Sequence, residues 1–413
     1  SLSEYIIYDA NEWTRLSSAI MDTSVGDNPV RDVTAGGGIA YFAFGASTFI
    51  GSLTWATSVH ASRKQTTYFA DVVDYFSDPF VGPQIYRGIS SLASVSRANA
   101  QGLITTALTF STISILAGGD EYGFTNLEDY NDQMYVLKED SIWTIKNDRI
   151  SRINVGLEAF PSSNTGRAVA PQNLFLYFSW SHSIERMYGG TVDDIGPWKG
   201  AGLQEGRGGA FSTLVPYIAW TLGAIDASTG RSGAYAWDGR GWHEFYRAPT
   251  TGARLQDMIM QSNPGTNPRL WMSVGGEMIC MRWPKDTLNP RNDSTIYYQH
   301  EGIFETAAID MNAVQLPKLF SRVYAISKNL ASTQATLNCE YQLDEDIGTT
   351  AWLPIGNFRR SPIDHLEVRR GDKHSIRLRV RGLTQVSSVH TELHALTLKA
   401  VARTPVRRQW NLR

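Results

Sequence analysis

Apolar and polar residues alternate with a period of two along most of this chain, and the alternating runs come in pairs joined by short turns. The pattern is plainest in Ser232–Tyr246, where Gly-Ala-Tyr-Ala-Trp and Trp-His-Glu-Phe-Tyr flank Asp238-Gly-Arg-Gly241. Glycine reaches positive φ without steric cost, so Asp238-Gly239 predicts a tight hairpin turn. Leu222–Asp226 precedes this hairpin across Ala227–Gly230, which makes the segment a three-stranded meander. Similar hairpins are predicted at Met134–Leu137 with Ile142–Ile145 and at Asn173–Ser179 with Ile184–Tyr188 across Trp180–Ser183. A fourth joins Arg269–Val274 to Glu277–Arg282 across Gly275-Gly276. Tyr135, Tyr177, Tyr235 and Trp271 mark the four hairpins and stand 42, 58 and 36 residues apart.

Upstream, Gly36–Gly45 and Thr48–Trp55 predict a first hairpin, while Thr67–Phe76 reads as a strand or as a short amphipathic segment before Gln84–Ile89. Sheets this small cannot bury both faces alone and must stack on neighbours, which is the logic of a β-propeller. Residues 1–298 accommodate about seven blades of about 42 residues, with six or eight also compatible. The Pro- and Asn/Asp-rich stretch Pro284–Asp293 marks the expected boundary with a second domain, residues 299–413. There, Lys318–Ile326, Ala335–Leu343, His374–Val380 and Leu393–Leu398 alternate over longer strands, with Gly348, Gly356, Gly371 and Gly382 assigned to turns. The expected fold class is all-β: a β-propeller followed by a C-terminal β-sandwich.

Composition narrows the picture. The 413 residues are 42% hydrophobic and include 12 Trp, 18 Tyr and 36 Gly, an aromatic, glycine-punctuated composition unlike that of disordered chains. Two cysteines, Cys280 and Cys339, give no disulfide framework and no metal-ligand spacing. Ser1–Tyr8 lacks the basic start and apolar core of a signal peptide, so none is expected. Ala98–Gly119 is uncharged, but its recurrent Ser, Thr, Asn and Gln argue for strands over a bilayer span, so a soluble protein is expected. The charge is uneven. Residues 355–413 carry 13 Lys and Arg against 4 Asp and Glu, although the whole chain has a net charge of −2. A solvated strand face is the common explanation of such a bias. The sharper expectation is an assembly surface formed by Arg377, Arg379 and Arg381 on one strand face together with Arg403, Arg407, Arg408 and Trp410 of the tail. Nucleic acid is the less favoured partner.

Most catalytic signatures are absent. No phosphate-binding loop or nucleophile elbow occurs, and the glycine-rich Gly200–Gly209 lacks a strand–helix context, so it reads as a loop. His390, Glu392 and His394 share one face of a predicted strand and form a weak metal candidate, ordinary solvent-facing chemistry being commoner there. Asp344–Gly348 reads as a charged hairpin tip more readily than as a calcium loop. No cofactor is expected. Paired carboxylates for glycoside hydrolysis are sought in loops, at Asp120-Glu121, Glu128-Asp129, Asp132 and Asp193-Asp194, but no arginine-rich signature accompanies them. Trp180, Trp198, Trp237, Trp242, Trp271 and Trp283 lie near predicted turns, where Trp180, Trp237 and Trp242 are the candidate platforms for stacking on sugars; packing between blades is the competing explanation.

Tyr235–His243, Lys318-Leu-Phe, Tyr341–Asp344, Trp352–Gly356, Arg377–Val380 and Thr404–Trp410 together resemble virion structural proteins of tailed bacteriophages, in which a propeller-like body precedes a β-sandwich. The resemblance covers residues 130–413 and implies a place in the tail or neck of the virion, with no catalytic residues to carry over. The expected function is therefore a non-enzymatic structural component, soluble in the host cytoplasm before assembly. It would contact other virion proteins and itself, in a symmetric ring. The alternatives are a module that binds host-surface glycans and a propeller enzyme that cleaves them.

Overall fold

Alternation becomes strand pairing throughout. A computed structural model describes residues 5–9, 12–16, 32–36, 39–43, 50–56, 59–65, 69–79, 81–100, 108–111, 114–153, 161–197, 207–262, 267–284, 301–330, 335–347, 349, 351–385 and 391–402. Among these residues the only helical pieces are the 3-10 turns Ser90–Leu92 and Asp344–Asp346. The described chain is otherwise a set of antiparallel sheets, and its N-terminal part is a β-propeller. Two compact units divide at Met281/Arg282, upstream of the expected boundary at 298, and the predicted linker beyond Pro284 lies outside the described residues.

Six sheets follow one another as meanders. The first comprises Asp32–Gly36, Ile39–Ala43, Ile50–Ala56 and Val59–Gln65, and the second Val72–Asp78, Gly82–Ile89, Ser94–Asn99 and Ile115–Leu116. The third comprises Phe124–Tyr130, Gln133–Lys138, Ile142–Lys146 and Arg149–Ile153, and the fourth Val169–Gln172, Phe175–Trp180, Ser183–Tyr188 and Thr191–Asp194. The fifth comprises Ala210–Tyr217, Trp220–Asp226, Gly233–Trp237 and Trp242–Arg247, and the three-stranded sixth Leu255–Gln261, Arg269–Val274 and Glu277–Arg282. A two-stranded ribbon, Tyr5–Asp9 with Glu12–Leu16, precedes them. The described residues of this unit thus hold six sheets and one ribbon, within the expected range of six to eight blades. The ambiguous Thr67–Phe76 segment contributes the strand Val72–Asp78.

The first strands of consecutive sheets lie side by side from the first sheet to the sixth, so they are innermost. Fourth strands such as Arg149–Ile153 and Thr191–Asp194 are largely exposed, as outer edges should be. Stacking is explicit in Gln133–Lys138. Met134 and Val136 enter a core shared with Val72, Tyr86 and Val95 of the second sheet, whereas Tyr135 and Leu137 enter one shared with Leu176 and Phe178 of the fourth. Successive side chains point to opposite faces, so a strand between two sheets is apolar on both, as Met134 to Leu137 are. Truncating a fully buried ring such as Phe178 to alanine would cost about 3–5 kcal/mol. Polar stitches join the same neighbours: Tyr130 Oη donates to the Leu174 carbonyl (2.6 Å), Gln172 Nε2 to those of Ile218 and Trp220 (3.0 and 2.8 Å), and Ser212 Oγ to that of Leu255 (2.8 Å).

The four predicted hairpins all form, but not in one phase. Three join the second strand of a sheet to the third, whereas the Tyr235 hairpin joins the third to the fourth. Second strands begin at Gln133, Phe175, Trp220 and Arg269, a more even spacing than the aromatic markers showed. The Asp238 turn is also longer than expected. Trp237 pairs with Trp242, leaving a four-residue loop in which Asp238 Oδ1 accepts from the Arg240 and Gly241 amides (both 2.8 Å), and Gly239 has φ +90°.

In the second unit, Glu301–Glu305, Ile376–Thr384, Ala335–Leu343 and Leu353–Phe358 form one sheet in that order. The other places Lys318–Lys328 between Ile363–Lys373 and Glu392–Ala402. Phe320, Val323, Leu337, Tyr341, Phe358, Ile376 and Leu378 fill the space between them, the interior of a β-sandwich. Gly356, Gly371 and Gly382 lie within strands, not at turns, and Gly348 is outside the described residues.

Candidate functional site

Carboxylates gather on the innermost propeller strands. Asp32 comes from the first sheet, Asp74 from the second, Glu128 and Asp129 from the third and Asp257 from the sixth. The charge of Asp257 adds to the environment of Asp32. Solvent reaches these residues in part, with Asp129 and Asp257 the most exposed, yet protein surrounds the acidic groups on most sides. Protein around a charge screens it less than water does.

Each carboxylate titrates high for the same main reason. Burial raises Asp32 to about 6 against hydrogen bonds from the Val73 and Val33 amides, with repulsion from Asp257 adding to the rise. Burial, then the charge of Asp129, raises Asp74 to about 8 despite hydrogen bonds from Thr34 and Tyr75. Glu128 is held well above its usual range by burial and by Asp74, Asp129 and Asp32. Asp129 and Asp257 are raised by burial, the latter against hydrogen bonds from Met258 and Thr213 and the nearby Arg167 charge. Burial dominates throughout, and like charges on neighbouring strands add to it at Asp32, Asp74 and Glu128.

Several of these oxygens are structural ties. Asp32 Oδ2 accepts from the Val73 amide (2.8 Å) and Oδ1 from that of Val33 (2.9 Å), which binds the first sheet to the second. Thr34 Oγ1 donates to Asp74 Oδ1 (3.0 Å) and accepts from the Tyr75 amide (3.0 Å) across the same seam. Asp74 Oδ2, by contrast, is buried with no hydrogen-bond partner among the described residues. Chemically, the group can exchange protons near neutrality or take up a cation.

Sequence reasoning sought acids in loops and so missed Asp32, Asp74 and Asp257, while Glu128 and Asp129 belong to the strand Phe124–Tyr130. A usable signal existed: an Asp or Glu recurs inside the short apolar run immediately before several of the hairpins.

The candidates read from the sequence fare differently. Arg377, Arg379 and Arg381 do share a strand face, but each is neutralised within its own sheet. Arg377 pairs with Glu305 (2.9 Å) and donates to the Thr306 carbonyl (3.0 Å), Arg379 pairs with Glu340, and Arg381 pairs with Glu301 (2.5 Å). Register explains the second: Arg379 lies opposite Glu305 on one side and Glu340 on the other. The Trp352 ring covers Arg379 at 4.3 Å. This row is therefore not a free basic surface. Arg403, Arg407, Arg408 and Trp410 lie outside the described residues.

The proposed sugar platforms are packing elements. Trp180 and Trp237 are buried, and the part-buried Trp242 stacks against Trp237 and Phe211 and donates Nε1–H to the Ile195 carbonyl (2.6 Å). Glu392 and His394 meet at 3.1 Å, His390 lies outside the described residues, and no group of three potential ligands occurs among the described residues. At the predicted hairpin tip, Asp344 Oδ1 accepts from the His374 and Ser375 amides (2.9 and 2.8 Å). No described helix is long and apolar enough to cross a membrane.

No family model and no curated protein matches the chain. Solved structures resemble it in fold. One from the mitotic checkpoint complex aligns over 68% of this chain and 85% of its own, at 11% identity and a TM-score of 0.46. The WD40 repeats of RRP9 align over 60% of this chain and 73% of theirs, at 10% identity and 0.42. An exo-β-1,3-galactanase from Phanerochaete chrysosporium aligns over 89% and 95%, at 8% identity and 0.32. At these identities the likeness is one of architecture alone.

Proposed function

We propose that the chain is a non-enzymatic structural component of a tailed-phage virion, with the propeller as a rigid platform and the sandwich as the surface that joins other virion proteins or further copies. The resemblance over residues 130–413 motivates this reading. The observation that carries it is a cleft of about 380 Å³ in the sandwich, lined by Phe304, Ile309, Leu378, Leu393, Leu396 and Leu398. It lies beside two edge strands, Glu301–Glu305 and Glu392–Ala402, whose outer edges pair with no other strand among the described residues. Phe304 is 50% exposed, an apolar anchor at the rim. An apolar recess beside open strand edges favours protein over nucleic acid as the partner, the more so because the arginine row is internally paired.

The full chain should self-associate or assemble with copurifying virion proteins, and Phe304→Asp should weaken that assembly by about tenfold or more, read by analytical ultracentrifugation. Phe304 is surface-exposed, so the variant should keep its fold by circular dichroism. Assembly indifferent to the substitution would overturn this reading.

A second reading, a glycan-cleaving enzyme, is favoured by the axial carboxylates, since a high-titrating carboxylic acid is what the general-acid step of glycoside hydrolysis requires. Release of reducing ends from host polysaccharide, lost in Glu128→Gln, would establish it. The buried positions of Trp180 and Trp237 withdraw the support on which the glycan-binding alternative stood.

A further inference from the structure

The two sheets of the sandwich differ in width, and the cleft sits where they differ. One sheet has four strands, Glu301–Glu305, Ile376–Thr384, Ala335–Leu343 and Leu353–Phe358, in that order. The other has three among the described residues, Ile363–Lys373, Lys318–Lys328 and Glu392–Ala402. Leu353–Phe358 and Ile363–Lys373 touch at one flank, so counting across from there leaves Glu301–Glu305 without a described strand over it. The cleft lies at that place: Phe304, Thr306 and Leu378 line it from the wider sheet, and Leu393, Leu396 and Leu398 from the last strand of the narrower one. Leu396 and Leu398 also pack against the sandwich core, whereas Thr397 and Lys399 are exposed on the opposite face. A strand added at the outer edge of Glu392–Ala402 would therefore cover the cleft with every second side chain.

We infer that the occupant is this chain's own segment 406–412, folded back as the fourth strand of the narrower sheet. Its sequence alternates, with Val406, Trp410 and Leu412 on one side and Arg407, Gln409 and Asn411 on the other. In the antiparallel register that sets Trp410 opposite Leu398, Leu412 falls opposite Leu396 and Val406 opposite Ala402, so the apolar side enters the cleft. Arg408 is the exception on that side. It falls opposite Ala400 near the end of the strand, where its long stem carries the guanidinium to solvent. Arg407, Gln409 and Asn411 then stand beside Val401, Lys399 and Thr397, all three exposed. The same register leaves Arg403-Thr-Pro405 as the turn, a place where the missing N–H of proline costs no ladder hydrogen bond. A link this short favours closure over capture of the same segment from solution. The segment occupies the recess on which the assembly reading rests and so regulates it: a partner must displace it to reach Phe304.

The test uses the full chain, its Trp410→Asp/Leu412→Asp variant and a blocked peptide of residues 403–413. The double substitution frees the cleft and leaves the residues between the two sheets unchanged, and circular dichroism checks its fold. By calorimetry the peptide should bind the variant one-to-one and saturably, and wild type at least about tenfold more weakly, because the tethered segment competes at high effective concentration. In dilute wild type, the amides of Glu392–Ala402 turned away from Lys318–Lys328 should be protected from hydrogen exchange, and in the variant they should exchange faster until the peptide is added. Rapid exchange of those amides in wild type would overturn the inference whatever the variant does. So would the absence of saturable binding to the folded variant, or equal binding to both chains. Loss of self-association in the variant would assign the segment to the cleft of a second copy and overturn it as well. The two readings fail separately: peptide and exchange results leave Phe304-dependent assembly standing, and assembly indifferent to Phe304→Asp leaves the exchange result standing.

Discussion

The propeller and the sandwich are built from the same antiparallel strands, yet they handle ionisable residues in opposite ways. On the inner propeller strands, carboxylates face carboxylates, and burial drives their protons on. In the sandwich, arginine and glutamate alternate across neighbouring strands, so Glu305, Arg379 and Glu340 stand in one row with the cation between two anions. The difference follows from topology. Meander sheets arranged around an axis bring the same strand of every repeat together, so a residue type repeated along the sequence meets its like. Sheet neighbours in the sandwich come from distant parts of the chain, and opposite charges can be placed across a register without conflict.

Removing the central cation of that row should have the largest effect. Arg379→Ala leaves Glu340, 19% exposed, without its partner, while Glu305 keeps Arg377, and should destabilise the sandwich by about 3 kcal/mol in urea unfolding. A loss under about 1 kcal/mol would show that the row resembles a surface ion pair. On the propeller side, a Cβ at Gly36 would lie 2.2 Å from the Tyr75 ring, so Gly36→Val should open the seam tied by Asp32 and Thr34, at about 2 kcal/mol. Unaltered thermal stability would mean that the ring swings aside freely.

Gly239→Val should cost about 1–2 kcal/mol through left-handed strain alone, because nothing lies within 4 Å of the added Cβ and φ is +90°. Gly239→Asn should recover most of it, since Asn tolerates that region; equal melting temperatures for the two variants would refute the strain argument.

The last comparison distinguishes the two units by sign. Asp32 titrates near 6 and Asp74 near 8 when folded, against about 4 in an unfolded chain, so the folded propeller holds protons that the unfolded chain has released. Its stability should therefore fall as pH rises from about 4 to about 8. In the sandwich, burial works against the charge on Asp344 and Asp364, but backbone amides outweigh it and hold both below their usual range. Their contribution is present above about pH 4 and is lost as pH falls below it. Calorimetric transitions of the two units should shift oppositely across these windows, and Asp74→Asn should flatten the propeller's response. Parallel shifts would contradict the contrast.

Local pattern determined much of this protein. Period-two alternation, paired runs and Gly-rich turns were enough to read an all-β chain, four hairpins and the change from short blades to long sandwich strands, because side-chain direction and turn geometry depend on residues a few positions apart. The Tyr235 hairpin fell one strand out of phase because its aromatics resemble those of the other hairpins, and only sheet order separates a third strand from a second. Exposure and charge pairing lay beyond local pattern altogether. Trp180 and Trp237 border turns in sequence but are covered by packing around them, and Arg377, Arg379 and Arg381 form the expected row but face glutamates as many as 80 residues away. The axial carboxylates are the clearest case. Each is an isolated polar residue in its own strand, and only the stacking of separate sheets around one axis makes them neighbours, through long-range contacts that no single segment encodes.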